Sequence, residues 1–478
     1  MIPVSERLAV PVRWRAFGAA VGTLLIVTLW LRITAGPSTS ASRETGAATR
    51  SIAVLPFINA SPDSSYDYLS EGISADLTTT LGRVAGLRVA GGRSARALAG
   101  EDPVTIGRRL RVASVLVGSI RPVGDRHKIS AHLVSVEGGF DLWSEAYERP
   151  PSGFLSVERD IVAAVATTLK LRGTLPLASL FRTAPTPHEA YLKARLSLDR
   201  SAIGGGRLAA ADFRQVIALD SGYAPAWAGL AQANLRDFLS ESALPEEVIP
   251  LARQAVERAV VLDSTLVSAR IARGIIWLLF DRVPAKAASE FDRAIALDPN
   301  FPEGHDWQAR RLLAVGQIDS AIAAAHRAVE SSPFDATLRA HLGWHYLLAR
   351  QDSLAALAFA RARSLDSTLD STEESEAWQV ALPADSGSAY DSLVAAGKER
   401  YVSAYTLAVA AVAGGRTSEA IAALSRAMVE RTPWVMYARL DRRLDALRGN
   451  RRFETLLARL PQTTIPPEQK PSPSSGPP

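Results

Sequence analysis

The chain of 478 residues is long enough for two or three domains, and its hydrophobic content of 47% excludes a wholly disordered protein. It contains no cysteine, which excludes disulfide bonds, thiolate metal sites and a cysteine nucleophile. Of the net charge of +5, residues 1–50 carry +4, from six arginines and two glutamates. The rest of the chain is near neutral and lacks the basic stripe of a nucleic-acid-binding face.

An uncharged apolar stretch from Ala16 to Leu31 predicts a transmembrane helix over residues 16–35. More arginines precede this stretch than follow it closely, so we expect a short cytosolic N-terminus at 1–15 and export of the remainder. A cleaved signal peptide, with a weak small-residue site at Thr39-Ser40-Ala41, is the alternative, and it exports the same residues. Residues 36–50 contain no large apolar side chain and predict a flexible linker.

Residues 51–172 predict a compact α/β domain. A short apolar run at 52–57 suits a buried strand, and Leu69, Ile73, Leu77 and Leu81 then recur at helical spacing. Further runs predict the order strand, helix, strand, helix, three strands, helix, with the last three strands joined by turns at Gly124-Asp125 and Gly138-Gly139.

Several motifs in this segment resemble the TolB-N-like (FlgO-like) domain of bacterial envelope and signalling proteins. They are SIAVLPF at 51–57, Tyr68–Ile73, Leu87-Arg-Val89, Ile106-Gly107, Val117-Gly-Ser119 and Leu142–Glu145. The resemblance implies a domain placed just outside a transmembrane helix and just before tetratricopeptide repeats. In that family the cytosolic side often carries a cyclase, a kinase or a DNA-binding domain, but residues 1–15 are too few for such an output domain.

A repeat of 34 residues dominates the second half of the chain. Ala287, Ala321 and Ala355 recur at this period, and Pro299 and Pro333 end successive units in the same phase. Small residues at fixed offsets with this period predict paired antiparallel helices stacked into a solenoid. The pattern resembles the tetratricopeptide repeat (TPR) family, and a generic alanine-rich bundle is the alternative. We expect helical repeats with a capping helix over 186–460 and a disordered Pro/Ser tail at 461–478.

The fold class expected is therefore multidomain α/β plus all-α: one transmembrane helix, a small α/β domain and an α-solenoid of TPR-type helix pairs. No motif predicts a catalytic residue, a cofactor or a metal site; His341 and His345 are four residues apart, but nothing in the sequence places a third ligand beside them. In a helical solenoid the first helices line the groove. Phasing of the units then gives candidate partner-binding positions at Gln232, Ile275, Asp306, Arg310, Ala340 and Trp344. Asp306 and Arg310 could instead pair across one helical turn, and Trp344 could be core.

These expectations combine into a non-enzymatic adaptor or scaffold, anchored by 16–35 in the bacterial inner membrane as a single-pass protein, with its bulk in the periplasm. It would bind protein or peptide partners of the envelope through the solenoid groove, with no nucleic acid and no small-molecule substrate. The first alternative is the sensory half of a split signalling system whose output domain lies on another chain. The second is a hydrolase or transferase with an unrecognised site.

Overall fold

The computed structural model describes residues 50–150, 153–171, 185–200, 205–366 and 386–461, which belong to one compact unit that begins at Arg50. The predicted N-terminus, the membrane helix at 16–35, nearly all of the linker and nearly all of the tail lie outside these residues. None of the described helices is both long and apolar enough to cross a bilayer.

The α/β domain has the predicted order of elements with three additions: β2, a 3-10 turn at Ser64–Tyr66 and α2. The elements are β1 (Ser51–Val54), β2 (Ile58–Asn59), α1 (Asp67–Gly82), β3 (Arg88–Val89), α2 (Gly92–Ala97), α3 (Pro103–Leu110), β4 (Ser114–Val123), β5 (Arg126–Ser135), β6 (Asp141–Arg149) and α4 (Phe154–Thr168).

The strands form one mixed sheet in the order β3-β1-β4-β5-β6, with β2 paired to β4. Strand β1 runs parallel to both β3 and β4, while β4, β5 and β6 form antiparallel pairs. All four residues of β1 are buried, because α1 and α4 contribute to the core on one face of the sheet and α2 and α3 to the core on the other. A strand covered on both faces needs a continuous apolar run, which SIAV supplies.

Antiparallel helix pairs follow, as the 34-residue period predicts. They are α5 (Pro185–Arg200) with α6 (Gly206–Leu219), α7 (Ala224–Leu239) with α8 (Pro245–Leu262), α9 (Val267–Ile275) with α10 (Pro284–Leu297), α11 (Pro302–Ala314) with α12 (Ile318–Ser331), and α13 (Ala336–Leu348) with α14 (Asp352–Leu365). A π-helical turn at Ile276–Phe280 extends α9. The alanines that set the period, Ala287, Ala321 and Ala355, are fully or almost fully buried.

Close approach within a pair also explains a glycine. A Cβ on Gly274 of α9 would lie 2.3 Å from the ring of Phe291 on α10. Only a glycine lets this buried aromatic ring fill the space between the two helices.

The α/β domain packs along the loops that join one helix pair to the next. Arg83, at the end of α1, donates a hydrogen bond of 2.6 Å to the hydroxyl of Thr265. The hydroxyl of Ser94 lies 2.9 Å from that of Ser332 and accepts a hydrogen bond of 2.8 Å from the backbone N–H of Phe334. These contacts join the domain to the loops before α9 and α13, so the sheet and the solenoid belong to one compact unit.

The C-terminal part contains α15 (Ser386–Ala396), α16 (Ala404–Ala413), α17 (Thr417–Glu430), two 3-10 turns (Pro433–Tyr437 and Arg442–Leu447) and α18 (Arg451–Leu457). Helices α16 and α17 form a further helix pair, and α18 lies at the end of the predicted repeat range, where its capping role stays a prediction. Residues 404–460 are called the C-terminal cover below, because they fold back onto earlier helix pairs.

Candidate partner-binding site

The six predicted groove residues lie on the first helices of successive pairs, α7, α9, α11 and α13, as the phasing requires. Gln232 and Ala340 are partly exposed. Four side chains, Ile275, Asp306, Arg310 and Trp344, are instead buried, each at most 5% exposed. Their role in binding a partner stays a prediction. In the structure these side chains are buried by other residues of the same chain.

Asp306 and Arg310 do pair across one helical turn. The carboxylate of Asp306 accepts a hydrogen bond of 3.1 Å from Arg310 Nε and lies 3.0 Å from His341 Nδ1. Burial alone would raise the pKa of Asp306, but His341 and Arg310 hold it well below its usual range. Burial lowers the pKa of His345, one turn after His341, to about 4. Asp306 is therefore a fixed negative charge in the wall of the solenoid.

Aromatic rings surround the guanidinium of Arg310. The guanidinium of Arg310 lies 4.8 Å from the ring centre of Trp307, 5.4 Å from that of Trp344 and 5.6 Å from that of Trp434. Tyr437 meets Trp344 edge to face at 4.9 Å. A cation between aromatic faces is stabilised by their quadrupoles, more strongly where water is excluded. We call Trp307, Trp344, Trp434 and Tyr437 the aromatic box.

Two of the four rings in the aromatic box come from the C-terminal cover. Trp434 and Tyr437 lie on the 3-10 turn Pro433–Tyr437, more than 80 residues after Trp344 in the chain. This turn also contacts α11 and the π-helical turn after α9. An irregular segment of the chain thus occupies part of the surface that the phasing assigned to a partner.

Three turns that join the two helices of a pair contact the cover. Each does so through a charged residue at a position where glycine is favoured. Glu241, Arg282 and Arg350 each adopt the left-handed conformation that ends a first helix, with φ of 51°, 59° and 63°. Glu241 accepts a hydrogen bond of 2.8 Å from the hydroxyl of Thr406, and Arg282 donates one of 3.1 Å to the carbonyl of Met428. Arg350 pairs with Asp445 through two hydrogen bonds. Left-handed backbone is unfavourable for a residue with a Cβ, and contacts with the cover offset that strain.

Coverage by the rest of the chain distinguishes the first helices from the second. No residue of α7, α9, α11 or α13, all fully described, is exposed, whereas α8, α10, α12 and α14 each expose several. Around α11 and α13 the turn Pro433–Tyr437 supplies part of this coverage, so the predicted groove surface is not open there.

A second buried cluster joins the α/β domain to the solenoid. His188 Nε2 on α5 lies 3.2 Å from the carboxylate of Glu158 on α4 and 3.9 Å from that of Asp76 on α1. His188 Nδ1 lies 3.1 Å from the hydroxyl of Tyr223. Burial alone would lower the pKa of His188, but Glu158 and Asp76 raise it to about 9. Burial, together with Glu158, raises the pKa of Asp76 to about 6.

These side chains are also the group that could hold a metal ion among the described residues. The ligand atoms of Asp76, Glu158 and His188 lie within 4.8 Å of one another. His188 lies within ion-pair distance of both carboxylates, and the guanidinium of Arg195 lowers the pKa of Asp76 through its charge. Because one imidazole pairs with carboxylates from two helices of the α/β domain, we interpret the cluster as an ionic joint between the domain and the first helix pair.

Comparisons with known proteins gave a curated relative in sequence and several partial structural matches. No protein-family model matches it. It is 29% identical over 221 residues to a protein described as "Putative adenylate cyclase 3" from Rhizobium meliloti (strain 1021), a match that covers 44% of this chain and 38% of that protein. The chain thus spans well under half the length of this relative.

Solved structures with partial likeness include TPR proteins. PilW, described as a type IV pilus biogenesis factor, is 16% identical, with 55% of this chain and 99% of PilW covered at a TM-score of 0.32. YrrB, described as a TPR protein with an unusual peptide-binding site, is 19% identical, with 38% of this chain and 86% of YrrB covered at a TM-score of 0.26. By its own helix pairs, the described chain is a helical-repeat solenoid with a small α/β domain docked along one edge.

Proposed function

We propose that this protein is an interaction scaffold of the bacterial envelope whose helical repeats recognise a polypeptide segment. The observation that supports this most directly is the contact between the repeat wall and the turn Pro433–Tyr437. A surface that holds two aromatic side chains of an irregular segment against a buried arginine has the composition of an interface hot spot.

In this proposal a partner segment reaches the repeat wall by taking the place of the C-terminal cover. Asp306 and Arg310 are held by each other and by His341, so they keep their positions when the cover leaves. The rings of Trp307 and Trp344 then offer the partner the surface vacated by Trp434. The array would thus exist in a covered and an open state, and a partner would favour the open one.

The proposal includes the membrane tether and the absence of enzymatic activity. The apolar stretch at 16–35, with its arginine-rich N-terminal flank, supports a single-pass anchor with the repeats in the periplasm. The anchor would keep the scaffold at the membrane, where its effective concentration toward envelope partners is high.

Site-specific photo-crosslinking in cells tests the proposed surface. A photoreactive residue is placed at Gln232 or Ala340, which are partly exposed in the repeat wall, and at Ser289 or Ala323 as controls on exposed faces of second helices. We expect discrete crosslinked proteins from Gln232 and Ala340 that the control positions do not give. Identical crosslinking from both sets would contradict a partner site on the wall.

A second candidate function is the sensory half of a split signalling system, which the similarity to the Rhizobium protein favours. Here the α/β domain and the repeats would bind a signal and pass it to an output domain on another chain. Co-purification with a protein that carries a cyclase or kinase domain, whose activity changes on mixing with this chain, would support it. The purified chain alone is expected to form no cyclic AMP from ATP, and formation of cyclic AMP would contradict both proposals.

A further inference from the structure

A cleft on the outer side of the C-terminal cover lies between α17 and α18. Its volume is about 580 Å³, within the range of roughly 300–1,000 Å³ that ligand pockets span. Arg451, Arg452 and Arg459 line it from α18 and the turn that follows. The recessed floor includes Ile421 and Leu456, which are both buried.

Hydroxyl groups complete the lining, and acidic side chains do not take part in it. Ser418 and Ser425 of α17 and Thr455 of α18 face the same cleft. The hydroxyls of Ser425 and Thr455 donate to backbone carbonyls one turn earlier in their helices, so their oxygen lone pairs remain available to accept. The cleft therefore combines three cationic groups with polar groups above an apolar floor.

The segment that forms the cleft carries more positive charge than the chain after residue 50 as a whole. Residues 416–459 contain ten arginines and five acidic residues, a net charge of +5, whereas residues 51–478 as a whole carry only +1. Other arginines of this region are paired: Arg416 with Asp391, Arg426 with Glu430 and Arg448 with Asp445. Among the described residues, no carboxylate pairs with Arg451, Arg452 or Arg459. Three like charges on one short segment repel each other, and an anionic occupant would remove that repulsion.

We propose that the cleft between α17 and α18 binds an acidic, extended peptide segment of a protein partner, through carboxylates that pair with Arg451, Arg452 and Arg459. This inference rests on the proposed scaffold function and names the chemistry of one partner. Arginine forms bidentate pairs with carboxylates, and an extended peptide presents alternate side chains on one face, toward the guanidinium groups. A membrane surface fits less well, because the large apolar side chains here are recessed in the floor and cannot insert into a bilayer.

Fluorescence anisotropy with the full-length chain in detergent tests the proposal. The probe is a labelled ten-residue peptide that alternates Glu with Thr, and the control probe has Gln at each Glu position. The test variant is Arg451→Glu with Arg459→Glu. The matched control is Arg361→Glu with Arg363→Glu, which reverses two exposed charges on the outer face of α14.

We expect saturable binding of the Glu probe that weakens by about tenfold or more in the test variant and by less than about twofold in the control. Binding should weaken as salt rises, and the Gln probe should not bind. Equal affinity of the test variant and the wild type would overturn the proposal. So would binding to phosphatidylglycerol vesicles, lost in the test variant, without binding of the Glu probe.

The photo-crosslinks from Gln232 and Ala340 separate this inference from the function on which it rests. If the wall positions crosslink a partner while the Glu probe never binds, the acidic-peptide site is wrong and the scaffold proposal stands. If the Glu probe binds at the cleft while the wall gives only the crosslinks of the control positions, the cleft stands and the repeat wall is not the partner site.

Discussion

Replacing the three left-handed residues that hold the cover, by Glu241→Gly, Arg282→Gly and Arg350→Gly together, should release the cover and leave the helix pairs intact. Glycine adopts φ of 51–63° without the steric penalty of a Cβ, which relieves about 1 kcal/mol at each turn. The turns themselves therefore do not lose stability.

The triple variant does remove the stabilising contacts between these turns and the cover. The hydrogen bonds of Glu241 with Thr406 and of Arg282 with Met428 involve charged, partly buried groups and contribute about 1–3 kcal/mol each. The pair of Arg350 with Asp445 is about half exposed and contributes about 0–1 kcal/mol. The triple variant should thus weaken docking of the cover by roughly 2–7 kcal/mol.

Hydrogen exchange measured by mass spectrometry reports the two regions separately. Burial raises the pKa of Glu241 to about 7, so exchange is followed at pH 8, where its carboxylate is ionised in the wild type. Peptides from residues 404–447 should exchange much faster in the triple variant, and peptides from α10 and α12 should exchange as in the wild type.

A matched control carries Arg111→Gly and Lys170→Gly. These residues have φ of 54° and 51° but lie in the α/β domain, so the substitution relieves the same strain without removing a cover contact. The control should keep the cover protected. Protection of 404–447 in the triple variant equal to that in the wild type would refute the reasoning, as would loss of protection throughout the solenoid.

Two further predictions concern the joint and the packing of the helix pairs. The pKa of His188, raised to about 9, lies above the unfolded value, so its contribution to stability is fully present below about pH 6.5 and is lost as pH rises through 9. His188→Gln should remove most of a pH-dependent loss on the order of 3 kcal/mol between pH 6.5 and 9, measured by urea unfolding; an unchanged slope would contradict the ionic joint. Gly274→Ala should lower the free energy of unfolding by about 1–3 kcal/mol, because its Cβ would lie 2.3 Å from the ring of Phe291. Gly304→Ala, with its nearest neighbour at 3.2 Å, is the control and should cost less, and equal losses at both positions would contradict the packing argument.

Local periodicity in the sequence predicted the helix pairs because their packing is local. Ala287 and Phe291 are buried one helical turn apart, and the ring of Phe291 packs against Gly274 in the other helix of its own pair, so their spacing reports short-range packing. The short helix α2 was not predicted, because Gly91-Gly92 also suits the end of a strand. In the structure Gly92 begins the helix, and the N–H of Gly91 donates a hydrogen bond of 3.2 Å to the carbonyl of Ser331.

The fold-back of the cover and the ionic joint could not be predicted in the same way. Arg282 and Met428 are 146 residues apart, and His188 and Glu158 are 30 apart, so no periodic pattern connects them. One feature of the sequence points to the fold-back. The turn between α11 and α12 ends in Gly316, whereas the corresponding left-handed position of three other turns is Glu241, Arg282 or Arg350. At each of these three turns a charged residue stands where glycine is favoured, and its side chain contacts the cover.

The scaffold proposal requires that a partner and the C-terminal cover compete for the same repeat wall. Because the chain has no cysteine, Glu241→Cys and Thr406→Cys can be joined by a short bismaleimide, which locks the cover over the repeat wall. Partner crosslinks from a photoreactive residue at Ala340 are then compared between the locked chain and the same variant without the linker. The account predicts that the crosslinks disappear in the locked chain and persist without the linker, and equal crosslinking in both would contradict it.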